Sequence, residues 1–158
     1  MQAEQIEEVK EWTSHLFLGE KFDDFLVREV QIVTYNRFQI DGHIKKGFYT
    51  KEEWEENPQG EFSTWKRLRP ICFSLIKGKK LPLSFQIEFQ LAPEALEVFL
   101  QKEELNFQKE DIHGLYLQVR YEEGKLSYVS GCSFQTFTLD KELERAWDES
   151  VRRFFLMV

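Results

Sequence analysis

Three features of this sequence predict an α+β fold: a mostly antiparallel sheet of about six strands in three hairpins, covered on one face by N-terminal and long C-terminal helices. The first is residues 81–91, LPLSFQIEFQL, where Leu81, Leu83, Phe85, Ile87, Phe89 and Leu91 alternate with polar or turn-forming residues. A period of two buries one face of a strand and leaves the other wetter. The second is a set of three turn signals, Asp41-Gly42, Lys77-Gly78-Lys79-Lys80 and Glu123-Gly124, each between apolar runs. The third is a helical stripe, Leu143, Ala146, Trp147, Ser150, Val151, Phe154 and Phe155, at the spacing of a helix with one apolar face. One helix followed by three hairpin-plus-helix units calls for two layers, with helices over an antiparallel sheet.

Length supports the same reading. The 158 residues are read as one domain, 1–158, long enough to bury a core. The 15 phenylalanines point to a core built on aromatic rings. A net charge of −7 argues against nucleic acid or an anionic membrane as a partner of the whole surface. There is no apolar run long enough to cross a bilayer, and the acidic start MQAEQIEEVKEW fits neither a signal nor a transit peptide, so a cytoplasmic location is expected. The two cysteines, Cys72 and Cys132, stand apart with no CxxC pairing, and both are read as reduced thiols.

In chain order, the first helix is expected from Ala3 to Leu18. Ile6, Val9, Thr13 and Leu16 share its face, with Trp12 beside them and Gly19 following its end. An extended segment, 25–40, then turns at Asp41-Gly42, because a type I′ turn needs positive φ at both central residues. A return strand is expected from His43 to Tyr49. Thr50-Lys51-Glu52-Glu53 is a capping box that opens a short helix ending before Asn57-Pro58. A second hairpin, Trp65 to Leu91, turns at 77–80 and sets Leu75 opposite Leu83, Phe73 opposite Phe85 and Ile71 opposite Ile87. A one-residue slip would exchange the faces. Pro70, which has no N–H, marks an edge or a bulge of this hairpin.

Ala92-Pro93 opens a helix with Leu96, Phe99 and Leu100 on its stripe. The third hairpin spans Gly114 to Phe137 and turns at Glu123-Gly124. That turn pairs Glu122 with Lys125, Tyr121 with Leu126 and Val119 with Tyr128. The last helix starts near Thr138 or Asp140.

The segments FLVREVQIVTYNRFQIDGHI, LRPICFSLIKGKKLPLSFQIEFQL and GLYLQVRYEEGKLSYVSG…FTLDKELERAWDE resemble a family of uncharacterised proteins from anaerobic Gram-positive bacteria, a domain of unknown function. The likeness covers nearly the whole chain. It implies a bacterial, single-domain, cytoplasmic protein, and it assigns no catalytic or binding residue.

Charge distribution carries the sharpest functional signal. Between Phe62 and Ile87 there is no acidic residue but there are six basic ones, Lys66, Arg67, Arg69, Lys77, Lys79 and Lys80. A basic hairpin on an acidic body is a local field suited to an anionic ligand such as a phosphate or carboxylate, and a protein partner is the other candidate there. The blander reading is a hairpin tip kept soluble by lysines that also guard an edge. Trp65 and Phe73 offer stacking surface to a base, but no nucleic-acid motif accompanies them.

A second signal is a repeated D-x-H, Asp41/His43 and Asp111/His113, which in extended chain sets a carboxylate and an imidazole on one face. Two such pairs brought together would make a metal site or an acid–base pair. Asp41 and Asp111 equally suit loop bonds. Cys72 is expected on the less apolar face of its strand, where basic neighbours would lower its pKa; Cys132 is expected to be inert. No GxSxG elbow and no glycine-rich phosphate loop is present, so no cofactor is expected. The favoured reading is a binding or interaction module without catalytic machinery. The alternatives are a metal-binding protein or enzyme using the Asp/His pairs, a nucleic-acid binder, and a partner protein that adds its strand edge to another sheet.

Overall fold

The computed structural model describes residues 2–157. It is an α+β fold built on one antiparallel sheet of six strands in the order β1-β6-β5-β4-β2-β3. The strands are β1 (Gln2–Ile6), β2 (Leu26–Val33), β3 (Arg37–Asp41), β4 (Ser84–Gln90), β5 (Ile112–Glu122) and β6 (Lys125–Phe134). The helices are α1 (Val9–Phe17), α2 (Lys51–Glu56), α3 (Trp65–Ile76), α4 (Pro93–Lys102) and α5 (Glu142–Leu156).

The alternation of residues 81–91 produces β4. Phe85, Ile87 and Phe89 are buried, while Ser84, Gln86, Glu88 and Gln90 lie on the wetter face. β4 sits at the middle of the sheet, between β2 and β5. Leu81 and Leu83 precede the strand and remain exposed.

The third hairpin forms in the expected register, with Glu122 opposite Lys125, Tyr121 opposite Leu126 and Val119 opposite Tyr128. Its turn residues Glu123 and Gly124 take φ of 52° and 77°, as a type I′ turn requires. The stripe on α5 is also as expected: Leu143, Trp147, Val151 and Phe155 are buried. Trp147 donates its indole N–H to the carbonyl of Tyr116 at 2.9 Å, which ties α5 to β5. Asp140 accepts from the amide of Glu142 at 2.9 Å at the helix entry.

Phenylalanine does build the core. Phe22 meets Phe25, Phe89, Phe154 and Phe155. Trp12 packs against Phe22 and Phe155, Phe17 against Phe85, and Trp65 against Phe89. These contacts place α1, α3 and α5 on one face of the sheet, and Phe99 joins α4 to Trp147 of α5. Rings of this size carry most of the apolar area removed from water.

Four expectations are corrected. Residues 2–6 form β1, not the start of a helix; they pair with residues 126–130 of β6. Helix propensity is weak against the gain of covering an open sheet edge and burying Ile6.

The first hairpin turns at Thr34-Tyr35-Asn36, where the Thr34 amide donates to the Asn36 carbonyl, and not at Asp41-Gly42. Its arms pair Val30 with Ile40 and Ile32 with Phe38. Gly42 serves a close approach instead. A Cβ there would lie 1.7 Å from the Val27 carbonyl oxygen. Its amide donates to the Arg28 carbonyl at 2.9 Å, and its carbonyl accepts from Ser63. The stretch after it makes an isolated bridge, His43 to Phe62, and a short 3-10 turn at Lys46–Phe48, with no return strand.

The third correction is the largest. Trp65–Ile76 is a helix, so the second hairpin does not form and Ile71, Phe73 and Leu75 are not paired with Ile87, Phe85 and Leu83. Thr64 caps it, its hydroxyl accepting from the amide of Arg67 at 3.4 Å. Pro70 lies inside the helix on its exposed side. Last, Cys72 is fully buried, and burial pushes its thiol up to about 12 rather than down.

The short helix α2 forms as expected. The Thr50 hydroxyl accepts from the amide of Glu53, and the Glu53 carboxylate accepts from the amide of Thr50, which holds that carboxyl below its ordinary value.

Candidate anion-binding site

Because α3 is a helix, the six basic residues divide. Lys66 and Arg67 stand on its first turn, and Lys77, Lys79 and Lys80 follow its last. At 1.5 Å per residue, Lys66 and Lys77 are roughly 16 Å apart along the axis. The two groups therefore cannot act on one small anion.

Arg69 is withdrawn from the set. Its guanidinium makes two hydrogen bonds of 2.9 Å to the two carboxylate oxygens of Asp23. Only 19% of the Arg69 side chain and 9% of Asp23 remain exposed. This fork joins α3 to the turn after α1, and the Asp23 bond holds the Arg69 pKa above its ordinary value. Arg67 lies over the ring of Tyr49, 6.0 Å from its centroid. The indole of Trp65 is buried and donates to the Leu16 carbonyl at 2.6 Å; it offers no stacking surface.

Lys77, Lys79 and Lys80 lie together at the C-terminal end of α3. Cations are favoured there by the carbonyl end of the helix. The chain turns at Gly78, whose φ of +142° suits glycine alone. These lysines line a groove of about 550 Å³ between the α3–β4 connection and the tip of the β2–β3 hairpin. Its other walls are Thr34, Tyr35, Leu75, Ile76, Leu81 and Leu83, and among the described residues no acidic side chain lines it. Tyr35 is 85% exposed, Leu81 81% and Leu83 68%. The result is an amphipathic surface, cationic along one side and apolar along the other.

The Asp/His pairs are not brought together. In the sheet, β2 and β4 stand between β3, which ends at Asp41, and β5, which begins beside Asp111. Asp41 accepts from the His43 amide at 3.0 Å, contacts the His43 ring nitrogen at 2.7 Å, and accepts from Lys45 at 2.7 Å. The Lys45 bond leads in holding its carboxyl far below the usual range. Asp111 accepts from the Gln108 amide and closes a 3-10 turn. Among the described residues no group of three or more His, Cys, Asp or Glu is placed to hold a metal. Cys132 is half-buried, and burial raises its thiol pKa as well.

Arg28 is a basic residue that the sequence reading passed over. It occupies a bulge in β2, where the pairing with β4 shifts between Val27 and Glu29. A bulge re-aims a side chain. The guanidinium carbon lies 5.0 Å from the ring centroid of Tyr116 and 5.5 Å from that of Phe62. The sequence does contain a trace of this: Gly42 is the residue that lets the chain cross over the backbone of 27–28.

The architecture is thus an antiparallel sheet with helices on one face and its cationic chemistry on open surfaces. The chain belongs to DUF5721, a family of unknown function whose model matches residues 15–157. β1 and residues 9–14 of α1 precede the matched residues. No curated protein and no solved structure matches the chain.

Proposed function

We propose that this chain is a binding module that holds an acidic, partly apolar peptide segment of a partner protein in the groove bearing Lys77, Lys79 and Lys80. The setting we propose is a bacterial cytoplasm. One observation carries the reading: among the described residues none of the three lysines has an ion-pair partner, and they line a groove without acidic residues beside exposed Tyr35, Leu81 and Leu83. Contiguous exposed apolar side chains mark interaction surfaces. Interspersed cations add steering toward an acidic partner and reject basic ones. Nucleic acid is a poorer fit, because Arg69 is paired with Asp23, Trp65 is buried and the chain as a whole is acidic.

The test is fluorescence anisotropy with a labelled peptide alternating Glu with Leu and Phe, and with single-stranded DNA as the comparison. Saturable peptide binding that weakens with salt and is lost in the triple variant K77E/K79E/K80E supports the reading. Peptide binding that survives the triple variant overturns it, as does tighter binding of the DNA. No membrane-spanning helix enters the picture: none among the described residues is long and apolar enough to cross a bilayer.

A further inference from the structure

The face of the sheet opposite the helices carries a second, separate feature. Its cross-strand rows follow from the register: Gln90–Tyr116–Gly131, then Glu29–Glu88–Gln118–Val129, then Gln31–Gln86–Arg120–Ser127. The first two rows enclose a depression of about 480 Å³, lined by Arg28, Glu88, Tyr116, Gln118, Val129 and Gly131 among others. This is within the size range of small-molecule sites. The depression exists because Gly131 has no side chain. A Cβ built there would meet no atom within 4 Å.

Arg28 lies along one wall. Its planar group rests near two aromatic rings, and among the described residues it makes no side-chain hydrogen bond or ion pair. A guanidinium that lies over aromatic rings and has no acidic partner keeps its N–H fork available. That fork matches a carboxylate or a phosphate. The neighbouring charge separates the two. Glu88 lines the depression, and Glu29 stands opposite it in the sheet. Two carboxylates repel a dianion more than a monoanion. Among the described residues the Gln118 amide is committed only through a 3.4 Å bond to Glu88, and Val129 supplies an apolar wall.

We propose that this depression binds a small molecule bearing a carboxylate, with Arg28 as the bidentate partner of that carboxylate and the rest of the ligand lying over Gly131 against Tyr116 and Val129. The ligand is a monoanion with a flat or apolar body.

Three probes with a common ring isolate the head group: benzoate, benzamide and phenyl phosphate. Each is titrated into the full chain while backbone amide shifts are followed by ¹H–¹⁵N NMR. The expected result is saturable shifts with benzoate, confined to residues near 28, 88, 116–118 and 129–131. The apparent Kd rises about tenfold or more in Arg28→Gln, as loss of a charge-assisted fork implies. Gly131→Leu fills the depression while leaving the Arg28 residue itself in place. It should abolish the shifts while leaving the melting temperature unchanged or higher, since glycine weakens a strand interior. Gly131→Leu also decides the question if Arg28→Gln fails to fold. The proposal is overturned if benzoate gives no saturable shift, if binding survives Gly131→Leu, if benzamide binds as tightly, or if phenyl phosphate binds more tightly.

Discussion

Two glycines and two kinds of cation show how position sets the role of a residue. Gly42 follows β3 and Gly131 lies within β6, yet one has a backbone carbonyl 1.7 Å from its missing Cβ and the other has open space. Gly42→Ala should therefore cost about 3 kcal/mol or more, since the clash is with backbone and not with a movable side chain. Gly131→Ala should stay within about 0.5 kcal/mol of the native chain. Urea unfolding of the two variants side by side checks this. Among the cations, Arg69 is forked onto nearly buried Asp23, whereas Lys77, Lys79 and Lys80 face solvent. Arg69→Ala should lower stability by roughly 2–3 kcal/mol, somewhat less than for a fully enclosed pair because the arginine keeps some solvent contact. The triple lysine reversal should leave stability within about 1 kcal/mol, and its effect should appear in peptide binding alone. If Arg69→Ala leaves the unfolding midpoint unmoved, the fork is not the structural joint assigned to it.

Helix α3 is the element on which the sequence reading and the structure part. Ile71, Phe73 and Leu75 alternate, and Pro70 is uncommon within helices, so a strand is the natural inference. The helical pattern is also there: Trp65, Leu68, Cys72 and Ile76 recur at three and four residues behind the N-cap Thr64, and they face the core. Burial of that stripe outweighs the cost of proline. Pro70 removes the bond its amide would make to the Lys66 carbonyl and crowds that turn. Pro70→Ala should thus stabilise the chain by about 1–3 kcal/mol, read as a higher midpoint in thermal or urea unfolding. A lower midpoint would show that the proline fits this turn without strain. The first hairpin was hidden for a different reason. Its loop holds three residues, so Val30 and Ile32 keep the same parity as Phe38 and Ile40 across the turn. Alternation then runs through the turn without a break, and Asp41-Gly42 becomes the more visible signal.

The helix-covered side of the whole sheet encloses Cys72 and Tyr128, and burial raises the pKa of both; Cys132, half-buried, shifts the same way. A raised folded-state value means that the folded chain keeps protons which the unfolded chain releases. The stability this represents is intact below pH 9, the ordinary thiol value, and is lost as pH rises toward the Cys72 value of about 12. Unfolding midpoints should fall between pH 9 and 11, and Cys72→Ala should flatten that fall; an equal fall in the variant would remove Cys72 as the cause.

The same enclosed layer explains what could be read in advance. Local order carried β4, the Glu123-Gly124 hairpin, the Thr50 capping box and the α5 stripe, because each is specified by neighbours within one or two turns of chain. The basic segment was visible as composition, but its division into a forked Arg69, an Arg67 near Tyr49 and an exposed lysine cluster was not. Asp23 lies 46 positions from Arg69, and no periodicity reports that contact. Arg28 was invisible as a site, since its surroundings come from Phe62, Tyr116 and Gly131, three distant stretches joined by sheet pairing. Periodicity and turn chemistry thus sufficed for the fold class and for most elements. The edge strand β1, the helix at 65–76 and both candidate surfaces emerged only from packing, because burial against distant partners outweighs the fraction of a kilocalorie per residue that local preference supplies.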